Sequence, residues 1–294
     1  MPYAPLPPLV LSGLADEAAD DLPGQMAVHR ELGWSALELR LIGGQQTSGE
    51  FPAADFARAA DALDAAGLRV TALASAIGNW SRPITGDFAR DFDELRAAIP
   101  RLQRVGARFI RGMSWVGAGV APEVWRDEAV RRYRELGALA ADAGIVLLHE
   151  NCEGWGGLSP AHACEFHERV AHPGVGVLFD TGNVVAYGLD AWEFYSAVKP
   201  FIQHVHIKDA KRNPAGGKSS VFTLPGEGDA AVRRILVDLL RAGYRGAISI
   251  EPHVASIVHT GGAQASPAVR RDSYLRYGRV FSTMVAEIRR ELAI

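Results

Sequence analysis

Eight short runs rich in Val, Ile and Leu, separated by stretches of helical periodicity, constrain this chain more than any other feature. The runs fall at 9–12, 36–40, 69–73, 108–113, 145–150, 175–180, 202–208 and 247–251. They read as strands, because β-branched and apolar side chains suit a buried pleated surface. Five follow a glycine placed to end the preceding helix: Gly33, Gly67, Gly106, Gly144 and Gly243. Between strands, Phe56, Ala59, Ala60, Leu63 and Ala66 recur at three- and four-residue spacing, as do Val232, Ile235, Leu236, Leu239 and Leu240. Such spacing puts an apolar stripe on one side of a helix. Strands alternating with helices imply a parallel sheet with right-handed crossovers. An open doubly wound sheet competes, but the count of eight favours closure. The expectation is an α/β fold, a (β/α)8 TIM barrel, with one domain over residues 1–294.

Composition narrows the function. With 48% hydrophobic and 22% charged residues, the chain reads as a globule rather than a disordered polymer. Its formal net charge of -3 lacks the basic surplus that binding to nucleic acid favours, so no nucleic-acid partner is expected. Neither Cys152 nor Cys164 belongs to a CxxC pair, which argues against a thiolate zinc cluster and a disulfide framework. Residues 1–8 are proline-rich without a cationic and then apolar leader, and no apolar run approaches the roughly 20 residues of a membrane span. A cytoplasmic enzyme without a membrane partner is the expectation. Segments 210–223 and 254–268, the latter containing Gly261 and Gly262, read as long irregular loops of the kind that form lids or binding loops.

Barrel enzymes carry their chemistry at the C-terminal ends of the strands. Here strand five, IVLLHE, ends in Glu150, and strand six, VGVLFD, ends in Asp180. Strand seven, IQHVHIKD, carries His204, His206 and Lys208, and strand eight, AISIEPH, carries Glu251 and His253. A buried carboxylate is costly unless paired, hydrogen-bonded or bound to a cation. A lone acid at a strand end is equally well explained as a helix N-cap. Three acids and a histidine on four consecutive strands call instead for one shared divalent metal ion. Oxygen ligands plus one imidazole suit Mn²⁺ first, and also Mg²⁺, Co²⁺ or Zn²⁺. Strand alternation puts His204, His206 and Lys208 on one face. His206 then lies level with the acids, Lys208 lies further out towards substrate oxygens, and His204 lies deeper as a hydrogen-bonding or core histidine. His253 shares the parity of Glu251 but follows Pro252, which leaves a loop position open.

At these residues the chain resembles the sugar-phosphate isomerase/epimerase superfamily, the xylose isomerase-like TIM barrels. The likeness spans nearly the whole chain and rests on LLHEN, LFDTGN, HVHIKD and PGEGD…LLRAGYRGAISIEPH in that order. It implies that Glu150, Asp180, His206 and Glu251 bind one divalent metal. It further implies that Glu150 and Glu251 act as acid and base on opposite faces of a substrate carbon, through a metal-stabilised cis-enediolate. Asn183 and Lys208 match positions near the substrate in relatives. Glu38 and Arg40 on strand two and Arg111 on strand four face the mouth as candidate sugar-binding residues. Trp80, Trp115 and Trp155 follow strands three, four and five, where a ring is placed to stack on a sugar. For each, barrel filling or plain packing is the ordinary alternative.

The segment HIKDAKRNPAGGKSSVFTLPGEGD departs from the free-ketose 3-epimerases, which carry a longer, arginine-containing sequence there. It looks closer to inosose-pathway and keto-glycoside branches, which include dehydratases. The expected function is therefore a metal-dependent isomerase or epimerase of a keto-sugar or keto-polyol, acting on a small-molecule substrate. A dehydratase of an inosose or keto-glycoside is the alternative. An endonuclease IV-like DNA repair enzyme would need more histidine ligands and a basic face. Intact Glu150 and Glu251 speak against a non-catalytic sugar binder. No GxGxxG or P-loop signature implies a nucleotide, and homo-oligomerisation is left open.

Overall fold

The computed structural model describes residues 9–215, 220–255 and 265–294. Residues 1–8, Gly261 and Gly262 lie outside the described residues. Its main strands are β1 (Val10–Gly13), β2 (Ala36–Leu39), β3 (Arg69–Ala74), β4 (Phe109–Ser114), β5 (Val146–Gly154), β6 (Val175–Asp180), β7 (Ile202–Ile207) and β8 (Ala247–Ile250). All eight runs expected from the sequence form strands. They pair in parallel in the order β1-β8-β7-β6-β5-β4-β3-β2. The remaining seam, between β1 and β2, is joined by one parallel bridge, Leu14 to Glu38, which closes the barrel. Strand order follows chain order because each crossover returns the chain to the next position in the ring.

The intervening helices are α1 (Leu22–Glu31), α2 (Ala53–Ala65), α3 (Ala89–Arg104), α4 (Pro122–Asp142) and α5 (Pro160–Val170). Two short helices follow β6, α6 (Thr181–Ala186) and α7 (Ala191–Val198), and then come α8 (Val232–Arg241) and α9 (Pro267–Leu292). The stripe Val232, Ile235, Leu236, Leu239 and Leu240 is buried against the barrel, as its spacing requires. In α2, Phe56, Ala59, Ala60 and Leu63 are buried while Ala66, at the helix end, is half-buried. Gly33, Gly67, Gly106, Gly144 and Gly243 all have positive φ and no atom within 4 Å of a would-be Cβ. Left-handed backbone, not crowding, selects glycine there.

Inside the barrel, Val146, Leu148 and Leu178 pack with Phe109. Fully burying such a side chain contributes about 1.5–3 kcal/mol, so this plug is a stable floor for the polar layer above it. The segment 210–223 is not the irregular loop expected. Asp209–Arg212 and Ser220–Thr223 pair as an antiparallel hairpin. Asp209 anchors its base, its carboxylate accepting from the N–H groups of Ala210 (2.9 Å), Gly226 (2.7 Å), Gly228 (3.1 Å) and Ala230 (3.1 Å). Among the described residues, no helix is long and apolar enough to cross a membrane.

Candidate metal centre

Four strands deliver the expected acids and imidazole to one point. Asp180, the last residue of β6, is in register with His206 of β7. Glu251 follows β8 directly, its N–H bonded to the Ile207 carbonyl at 3.0 Å. Glu150 reaches in from β5 above the Leu148 layer. His206 Nδ1 lies 3.8 Å from Glu150 Oε1, 3.9 Å from Asp180 Oδ2 and 3.5 Å from Glu251 Oε2. One ligand atom from each of the four residues lies within 4.8 Å of every other, and all four residues are buried.

The donor set fits a divalent cation. His206 Nδ1 and Asp180 Oδ2 are buried and lack hydrogen-bond partners among the described residues, Oδ2 having only the ion pair with Lys208 Nζ at 3.2 Å beside it, and both are turned towards the shared point. Buried polar atoms are ordinarily satisfied, so two convergent exceptions mark a place where a ligand atom is needed. Asp180 also resolves the ambiguity between cap and ligand, because it does both jobs with different oxygens. Oδ1 caps α6, accepting from Gly182 N (2.9 Å) and Asn183 N (2.7 Å), and Oδ2 is left to face the centre.

The motifs around the ligands hold this geometry. Asn151, next to Glu150, donates to the Asp180 carbonyl at 2.8 Å and accepts from the Asp180 N–H at 2.7 Å, clamping β5 to β6. The Thr181 hydroxyl donates to the Lys208 carbonyl at 2.6 Å and accepts from its N–H at 3.1 Å. Gly182 admits the lysine, since a Cβ there would stand 2.6 Å from Lys208 Cβ and Cγ.

Glu150 and Glu251 are held in the same manner. Each turns one oxygen to the centre and rests the other on an arginine. Arg111 Nη1 lies 2.9 Å from Glu150 Oε2, and Arg40 Nη1 lies 2.5 Å from Glu251 Oε1. Lys208 Nζ sits among the ligands, 2.9 Å from Glu251 Oε2, 3.2 Å from Asp180 Oδ2 and 3.0 Å from Asn183 Oδ1. The Asn183 amide in turn donates to Glu150 Oε1 at 3.1 Å.

The electrostatics follow from crowding. Burial, with Glu251 and Glu150 adding to it, raises Asp180 to about 6 although Lys208 opposes. Burial works against Glu251 as well, but Lys208, His253 and Arg40 hold it well below the usual carboxylate range. Three buried carboxylates this close need positive charge to stay ionised together.

A cleft opens above the centre, and Arg40, Arg111, Asn183, Lys208 and Trp80 line it with the two glutamates. Other expected substrate contacts are corrected. Glu38 does not face the mouth: its carboxylate lies beneath His206, bonded to His204 Nε2 at 2.8 Å and to His206 Nε2 at 3.0 Å. His204 is therefore a buried hydrogen-bonding histidine. Trp115 is fully buried, because its φ of 54° turns the ring among the helices. There its indole N–H donates to Asp91 Oδ2 at 2.9 Å, and its ring meets Phe88 and Tyr133 edge-on. Trp155 is buried against Trp125 and His162 and is absent from the cleft wall.

The sequence reading missed Asp16 and Glu17, on the turn after β1. Asp16 forks onto Arg40 (2.7 and 3.1 Å), and Glu17 holds His253 through Nδ1 (2.7 Å) and the backbone N–H (2.8 Å). Burial pushes Glu17 up to about 8. The signal was available, since these are acids just past a barrel strand, but they lie on a turn outside strand periodicity.

An eight-stranded parallel barrel with an acid–histidine cluster at its C-terminal mouth defines a (β/α)8 barrel, an architecture that carries its functional groups at that end. Within it, the chain belongs to the xylose isomerase-like TIM barrel family, whose model matches residues 26–273. It is similar to the inosose dehydratase of Lacticaseibacillus casei, 27% identical over 128 residues, which are 40% of this chain and 43% of the relative. It is also similar to the 2-epi-5-epi-valiolone 7-phosphate 2-epimerase of an Actinoplanes species, 37% identical over 103 residues, which are 35% of this chain and 34% of the relative. These matches span less than half the length of either curated relative. The solved structure of the IOLI protein with a bound zinc atom superposes with a TM-score of 0.73 at 15% identity, covering 95% of this chain and 99% of the other. The two curated relatives carry the names of a dehydratase and an epimerase.

Proposed function

We propose that the protein is a metal-dependent isomerase or epimerase of a keto-sugar or keto-polyol. The observation that carries this reading is the convergence of Glu150 and Glu251 on one point, each with its second oxygen fixed by an arginine. Two fixed carboxylates beside one substrate carbon provide a base to remove a proton and an acid to return one. Glu150, Asp180, His206 and Glu251 would hold the cation, which supplies Lewis-acid polarisation of the substrate carbonyl. Glu150 and Glu251 exchange the proton at the carbon next to that carbonyl. Lys208 and Asn183 meet the neighbouring hydroxyls, and Arg40 and Arg111 keep the two carboxylates oriented.

Dehydration is the second reading, favoured by the Lys208 ammonium 2.9 Å from Glu251, a charged donor beside the base. The same carbanion can expel a β-hydroxyl when a donor protonates it. Manganese-loaded protein incubated with inososes and keto-sugars in D2O separates the readings. Deuterium entering beside the carbonyl without loss of water is expected. Loss of water transfers the assignment to a lyase, and a whole panel without exchange overturns both.

A further inference from the structure

The two arginines behind the glutamates are not held alike. Arg40 is locked on its far side: Nε and Nη2 fork onto Asp16 at 2.7 and 3.1 Å, while Nη1 lies 2.5 Å from Glu251 Oε1. Asp16 and Glu17 sit on the turn Ala15–Glu17 just after β1, and Arg270 of α9 pins that turn. Its guanidinium donates to the Asp16 carbonyl (2.6 Å), the Glu17 carbonyl (3.1 Å) and the Asp20 carboxylate (2.8 Å). The backbone around Glu251 is tied to the same turn from both sides. Leu14, before the turn, donates its N–H to the Ile250 carbonyl at 3.0 Å, and Glu17 accepts the N–H of His253 at 2.8 Å. Asp16, Glu17, Arg40 and Arg270 are all buried, so these charge-assisted bonds are shielded from water. Arg111 has no such backing. Among the described residues its one ion pair is with Glu150, and its Nε is buried without a hydrogen-bond partner.

We propose that Asp16 is a positioning residue for Glu251 alone: it fixes Arg40 against the pinned turn, and Arg40 fixes the carboxylate at the centre. The inference rests on the proposed function above for what Glu251 does there. A guanidinium bonded on one side only can swing with its carboxylate. One bonded on both sides cannot, because its planar donors are already aimed. Glu251 is therefore the rigid member of the pair. Glu150, on Arg111 and the Asn183 amide, is the one that can follow the substrate. The two glutamates differ in kind, although each presents one oxygen to the centre.

Mn²⁺ binding, read by calorimetry in a double-mutant cycle, tests this. Asp16→Asn keeps the size of the side chain and removes its charge. It is expected to weaken binding about 10–100-fold, the usual effect of removing the support of a metal ligand. Combined with Glu251→Gln it should add little, since the carboxylate it orients is already gone. Combined with Glu150→Gln, the two losses should multiply. Wild-type affinity in Asp16→Asn, or an equal loss on both backgrounds, overturns the positioning role. Should Asp16→Asn fail to fold, Arg270→Lys takes its place under the same criteria, since it loosens the turn and keeps the charge. With 2-keto-myo-inositol in D2O, Asp16→Asn is expected to lower kcat for deuterium exchange by about 10–100-fold at unchanged KM, and an unchanged kcat overturns the link to proton transfer. Absence of exchange in the wild type tells against the proton-transfer reading and leaves calorimetry to decide this one. A wild type that binds no Mn²⁺ sinks the metal centre instead. Urea unfolding of the same proteins then decides the relay: coupling of Asp16 to Glu251 and not to Glu150 supports it, and equal losses on both backgrounds overturn it.

Discussion

Glu38 offers both carboxylate oxygens to His206, 3.1 and 3.0 Å from its Nε2. That contact decides which imidazole nitrogen serves the centre. With Nε2 held against Glu38, Nδ1 is the nitrogen turned towards the acids, and it offers its lone pair to a cation when the ring is neutral. Burial works against the Glu38 charge, but His206 and His204 hold the group well below the usual carboxylate range. Glu38→Gln keeps the shape and removes the charge. Affinity for Mn²⁺, read by calorimetry, is expected to fall about 10–100-fold while far-UV circular dichroism is unchanged. Wild-type affinity would detach Glu38 from metal binding.

Glu150→Gln and Glu251→Gln each keep the size of the side chain and delete a carboxylate proposed to transfer the proton. Deuterium exchange beside the carbonyl is expected to drop by about 10²–10⁴-fold in either variant, the usual worth of a positioned acid or base. Thermal melting should show a folded protein in both cases. Normal turnover in one variant removes that glutamate from the chemistry.

Asp209 satisfies four backbone N–H groups at the base of the hairpin and is fully buried. Asp209→Ala strands those donors. Unmet buried donors cost about 1–3 kcal/mol each before relaxation, and a net loss of about 2–4 kcal/mol in urea unfolding is expected. A loss under 0.5 kcal/mol (about the scatter of surface changes) would show that the loop does not depend on this residue.

Acid stability follows from histidines far from the centre. Burial holds both His29 and His167 down to about 4. The His29 ring is enclosed between the Ala36 carbonyl (2.6 Å) and the Tyr274 hydroxyl (3.0 Å). An unfolded histidine titrates near 6.5, so below that pH the unfolded chain takes up a proton that the folded chain refuses. Stability from each ring is complete above pH 6.5 and drains away as pH falls towards 4, by about 3 kcal/mol at roughly 1.4 kcal/mol per unit. Urea unfolding between pH 7.5 and 4.5 should therefore fall more steeply for the wild type than for His29→Gln. Parallel slopes would rule out His29 as a source of the acid sensitivity.

The barrel was legible because strand and helix periods differ and because glycines needing left-handed backbone mark the joints, as Gly33 and Gly243 do. The four centre residues were legible because burial makes an acid at a strand end conspicuous. What escaped was set by depth and by local backbone. Alternation put Glu38 on the inner face correctly but said nothing of its level in the barrel, which places it under His206. Trp115 was misplaced because one residue at positive φ reverses the direction of its ring. Asp16 and Glu17 lie on a 3₁₀ turn, where neither period applies. The hairpin anchored by Asp209 escaped because its first arm, Asp209–Arg212, is mostly charged and its second, Ser220–Thr223, is only four residues long, so neither stands out like the apolar runs of the barrel.

The bridge from Leu14 to Glu38 joins the first staves of the cylinder to each other, and the side chain of that same glutamate steadies the imidazole. A cation bound at the mouth would be coupled through Glu38 to this thin join of the wall. Loading the mouth with a cation should rivet the cylinder shut, so that amide protons along that edge exchange more slowly in the charged protein than in the stripped one.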